Sequence, residues 1–115
     1  MKAESSESKA VFVAYSDADL RDVCRALTQI LALSLFDFDS EDTWEYTSAA
    51  NVTFKVNVTK TENLDTISQW MPAAPHDCNY QLIFEWRSAE DFVPLLSTIL
   101  QSLLHAPVTV LPGAR

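Results

Sequence analysis

The chain reads as a single α/β domain, with three helices against a mixed sheet of about five strands in the order β-α-β-β-α-β-α-β. Three observations lead there. Short runs rich in Val, Ile and aromatic residues alternate with segments whose apolar residues recur every three or four positions. With 115 residues there is room for one core and no second. A composition that is 48% hydrophobic with a single Gly belongs to a folded chain rather than a low-complexity one. The domain is expected over residues 10–111, between a disordered segment at 1–9 and a frayed tail at 112–115.

Ala10 to Tyr15 is almost wholly apolar, as a strand buried on both faces would be. Ser16, with Asp19 three residues on, has the spacing of a capping box and sets a carboxylate beside the positive end of the helix dipole. Leu20, Val23, Cys24, Leu27, Ile30 and Leu31 then form one helical face, carried through about Leu33. Val52, Phe54, Val56 and Val58 alternate with polar residues, the pattern of a strand with one buried side, and its hairpin mate is expected around Thr43 to Thr47. A second helix is expected from Glu62 to Met71, with Leu64, Ile67, Trp70 and Met71 on its buried side and Pro72 and Pro75 beyond it. Tyr80 to Trp86 is the next strand. Ser88 and Asp91 repeat the capping spacing before the stripe Phe92, Leu95, Leu96, Ile99, Leu100, Leu103 and Leu104, with Pro94 in the first turn. Val108 to Leu111 is the last strand. Each strand that leads through a helix to another strand favours parallel neighbours, and the helices are expected on one face of the sheet.

Sixteen acidic against eight basic residues give a net charge of −8, and residues 36–65 alone carry seven acids and two bases. A field of that sign repels phosphate backbones and anionic lipid, which argues against nucleic-acid and membrane partners and for a basic protein. No apolar run approaches the roughly 20 residues that span a bilayer. The polar start and two cysteines, Cys24 on a helix face and Cys78 in a loop, suit a cytoplasmic protein in a reducing compartment. On that reading the sequons at Asn51 and Asn57 carry no weight, and both are taken as strand residues.

Catalytic chemistry finds little support. The two histidines, His76 and His105, have no adjacent nucleophile, and His105 suits the end of a helix. His76, Asp77 and Cys78 lack the second ligand cluster of a tetrahedral zinc site. A single glycine, Gly113, excludes a phosphate-binding loop. The alternation of Asp37, Asp39, Glu41 and Asp42 lacks the Gly of a calcium loop. The expectation is a protein that is no enzyme and has no cofactor or metal.

Between Asp37 and Glu45 five carboxylates, Asp37, Asp39, Glu41, Asp42 and Glu45, stand with Phe38 and Trp44 among them. Clustered negative charge speeds the approach of a cationic partner, and a large aromatic residue slows its release. Trp70 and Trp86 read as core residues and Trp44 as the surface anchor.

Several strings occur in the order found in the barstar family of small acidic ribonuclease inhibitors. Lys9-Ala10-Val11 opens the first strand, Leu31-Ala32-Leu33 closes the first helix, and Glu62-Asn63-Leu64-Asp65 opens the second. Leu82 to Arg87 resembles the family's second core strand and Val108 to Leu111 its last. The resemblance implies an inhibitor that plugs a nuclease active site with carboxylates from the second helix and the loop before it. Asp65 then matches the first acidic position, beside Glu62. The chain departs from the family at Gln69, where a second acid is usual, at Thr61 in place of Gly, and in about 25 extra residues at 36–60. The resulting expectation is an immunity protein or antitoxin that binds a cognate basic toxin, nuclease-like, through Asp37, Asp39, Glu41, Asp42, Trp44, Glu45, Glu62 and Asp65. The alternative is an acidic chaperone or adaptor for a partner segment.

Overall fold

The structure, a computed structural model, describes residues 7–41, 44–71, 74–75 and 77–111. Its elements follow in the order β1 (Glu7–Ala14), α1 (Leu20–Leu31), β2 (Asp37–Glu41), β3 (Trp44–Ala50), β4 (Phe54–Thr61), α2 (Thr66–Trp70), β5 (Tyr80–Arg87), α3 (Val93–Leu104) and β6 (Thr109–Val110). The six strands make one sheet in the order β2-β3-β4-β5-β1-β6.

Every neighbouring pair is antiparallel, which corrects the expected parallel neighbours. The helical crossovers exist, but other strands fill the space between the strands they join. α1 links β1 to β2, which run the same way with β5, β4 and β3 between them, and α3 links β5 to β6 with β1 between. The acidic residues 37–41, outside the strands expected from the sequence, supply an additional edge strand. β1 begins at Glu7 rather than Ala10, so part of the expected disordered start belongs to the sheet. Residues 1–6 and 112–115 lie outside the described residues.

Strand alternation sorts the side chains into two layers. Phe12, Val56, Val58, Tyr80, Leu82 and Phe84 pack with Leu27 of α1 and Leu96 and Leu100 of α3 in the main core. Trp86 is buried as expected, its Nε1–H donating to the Glu90 carbonyl at 2.8 Å, with edge-to-face contacts to Phe54 and Phe92. A smaller cluster on the opposite face joins Val11 and Val13 to Ile67, Ala74, Cys78 and Leu111. The helices therefore do not share one face. β4 and β5 are adjacent and antiparallel, so the chain leaves Thr61 and returns at Tyr80 at the same end of the sheet. The segment between them, with α2, folds over the second face.

Local chemistry explains the boundaries. Asp19 itself caps α1, its carboxylate accepting from the Arg21 and Asp22 N–H groups at 3.1 and 3.2 Å. Ser16 turns inward instead and donates to the Leu104 carbonyl at 2.6 Å, closing α3. The β3–β4 turn is made without glycine: Asn51 Oδ1 accepts from Thr53 and Phe54 N–H, while its Nδ2 donates to the Leu31 carbonyl at 2.7 Å. Asn51 is thus a turn residue rather than a strand residue. Ala32 and His105, both in the left-handed region (φ 56° and 54°), end α1 and α3. α2 covers only Thr66–Trp70, because Glu62 to Asp65 form a bend and turn whose Asp65 N–H bonds to the Asn63 side chain.

Candidate functional site

The second face of the sheet is half covered. α2 and its flanking loops sit over β1 and β5, and the remaining part holds an open groove of about 660 Å³. Its floor comes from alternate positions of three strands, Tyr46 and Ser48 on β3, Asn57 and Thr59 on β4, and Gln81 on β5. Asp37 on the edge strand and Trp70 at the end of α2 form its sides. The Gln81 side-chain amide donates to Met71 Sδ at 2.8 Å, joining the floor to the chain just past α2. Trp70 is 44% exposed, which corrects its assignment to the buried side of the helix. Because α2 is one short turn-and-a-half, only Ile67 faces inward fully, and the end of the helix overhangs the sheet.

The acidic residues fall into two groups. Asp37 is exposed and lines the groove. Asp39 and Glu41 lie in β2 opposite Tyr46 and Trp44, and Trp44 is in turn opposite Thr61. This register brings the acidic hairpin alongside the end of β4, where Glu62 follows and Asp65 precedes α2, both exposed. Asp42 lies outside the described residues. Glu45 is set apart: it pairs with Lys60, whose neighbour Tyr80 is in the main core, so Glu45 faces the side of the sheet that carries α1. It belongs with the charges around Tyr80, whose hydroxyl is pushed up chiefly by burial and then by Cys24, Asp19, Glu45 and Asp22.

Neither thiol is disposed to act as a nucleophile. Burial pushes Cys24 up to about 12, against a smaller lowering by Arg21, and burial with Asp77 raises Cys78. Cys78 lies in a loop as expected, and its side chain is buried in the smaller core cluster. His76 lies outside the described residues. Among the described residues no three His, Cys, Asp or Glu side chains come together as a metal-holding group, and no helix is long and apolar enough to cross a membrane.

Sequence reasoning missed the groove and Trp70. Two of the floor residues, Asn57 and Thr59, belong to the polar half of the alternating β4 pattern, a signal that marks an uncovered face but not which part of it remains open. Comparison of the chain with protein-family models, curated proteins and solved structures finds no match.

Proposed function

We propose that this chain is a cytoplasmic immunity or inhibitor protein that neutralises a basic toxin, nuclease-like in its active-site charge, without enzymatic activity of its own. The observation that carries the reading is the strand register. Glu41 opposite Trp44, and Trp44 opposite Thr61, bring the acidic hairpin beside Glu62 and the approach to α2. Two acidic segments some twenty residues apart in sequence thereby meet at one end of the sheet. The barstar likeness belongs to this reading as a similarity of strategy, carboxylates standing in for substrate phosphates, with the added hairpin supplying charge where Gln69 replaces an acid.

Co-expression with the product of the adjacent reading frame tests it, scored by growth rescue and co-purification. The double variant Asp39→Lys, Asp42→Lys should slow association with that toxin and flatten its dependence on salt. Unchanged association would sink the assignment. The adaptor alternative draws on the groove, and would be favoured by partner binding that is indifferent to salt.

A further inference from the structure

We propose that the groove between β2 and α2 holds an arginine-bearing extended segment of the partner, with the guanidinium against Trp70 and its N–H donors shared between Asp37 and the floor. This rests on the reading of the partner as a basic protein and adds where one of its side chains goes.

Four features of the groove select that occupant. Among the described residues its lining contains no Lys, Arg or His. Asp37 offers a carboxylate, and Ser48, Asn57, Thr59 and Gln81 offer hydroxyl or amide oxygens, a set of acceptors suited to a group with five N–H donors in a plane. Trp70 supplies an exposed aromatic surface, the better platform for a guanidinium than for an ammonium ion. The volume of about 660 Å³ has room on the order of twenty waters, more than one side-chain head needs, which is why the occupant is a segment rather than a lone ion. The chain shows the same chemistry internally, where the Arg21 guanidinium lies 4.2 Å from the centre of the Phe38 ring.

The neighbouring charges limit where that segment runs. Away from the groove on the same face, Lys55, Glu85 and Lys9 stand in one row across β4, β5 and β1, so the carboxylate between two amines leaves that part of the face close to neutral or positive. A basic segment is therefore guided toward Asp37 and the hairpin.

The test is an NMR titration of the isotope-labelled full chain with the peptide acetyl-Gly-Arg-Gly-Arg-Gly-amide, with the same peptide carrying Glu for Arg, and with the neutral sugar cellohexaose. The arginine peptide should shift the Trp70 indole and the side-chain amides of Asn57 and Gln81, and the other two probes should not. Asp37→Asn and Trp70→Ala should each weaken that binding about fivefold. Trp70 ends a five-residue helix, so Asp37→Asn, at an exposed strand position, provides a second variant that leaves the buried side chains untouched. Shifts confined to the hairpin, or equal shifts with cellohexaose, would overturn the proposal. The peptide titration does not involve the toxin. A groove that ignores the peptide in a chain that still protects against its toxin defeats this inference and leaves the proposed function standing. A groove that takes the peptide in a chain that protects against no basic toxin defeats the function and leaves the cation site.

Discussion

Asn79 answers both backbone groups of Ser16, its Oδ1 accepting from the Ser16 N–H at 2.9 Å and its Nδ2 donating to the Ser16 carbonyl at 2.8 Å. Its own N–H donates to the Ala14 carbonyl and its own carbonyl accepts from Thr61, so one residue joins the ends of β1, β4 and β5. Removing the side chain leaves two buried backbone groups unpaired. The prediction for Asn79→Ala is a loss of about 2 kcal/mol, read from the denaturant midpoint with the slope unchanged. The sequence contains no sign of this role, because Asn before a strand reads as an ordinary loop residue and its partner lies 63 positions away. The cysteines allow a second test at this scale. With Cys24 raised to about 12 by burial, and Cys78 raised as well, the native protein should react with a thiol reagent far more slowly than the urea-unfolded chain. Equal rates would contradict the burial of both thiols.

The edge strand β2 carries its own protection in its sequence. An exposed edge invites another chain, and a strand with acidic residues at positions 37, 39 and 41 discourages that contact. Thr47 holds the strand in place from beside it, its hydroxyl donating to the Asp37 carbonyl. Neutralising the strand, with Asp37→Asn, Asp39→Asn and Glu41→Gln together, is predicted to leave the melting temperature within a few degrees and to increase self-association on concentration, measured by light scattering. The opposite end of the hairpin depends on Asn51, which forms the turn into β4 and also caps the carbonyl end of α1. Asn51→Ala should cost roughly 1–2 kcal/mol, since a turn and a helix terminus both lose their hydrogen bonds.

For the molecule as a whole, charge is the main variable. With a net −8 concentrated around residues 36–65, association with a basic partner should slow steeply as salt rises, while dissociation changes less. Alkaline pH should act on stability instead. The Cys24 thiol ionises at 9.0 in an unperturbed chain and at about 12 in the fold, so the folded state holds its proton more tightly. Its contribution is present in full below 9.0 and is lost as pH climbs through that window toward about 12. The denaturant midpoint should therefore fall over this range, with a shallower fall in Cys24→Ala, where the raised Cys78 and Tyr80 remain.

How far the sequence carried this reading follows from the range of the forces involved. Periodicity and capping are local, so the amphipathic helices at 20–31 and 93–104, the alternation in β4 and the apolar run of β5 were all legible, as was the negative middle of the chain. Strand pairing joins residues distant in sequence, and no local pattern says that β1 enters between β5 and β6, making every pair antiparallel. The same non-local step separated Glu45 from the acids beside it, because alternation in β3 sends it toward α1. It also brought Trp70 and Asp37, 33 positions apart, to the sides of one groove. Composition determined that the surface would be acidic and that the chain would have enough apolar residues to fold around a core, since these depend on residue types alone. Only the tertiary structure decided that Glu45 faces away from Asp37 and that Trp70 is half-exposed, because hydrogen-bonded register, not sequence order, sets those neighbours.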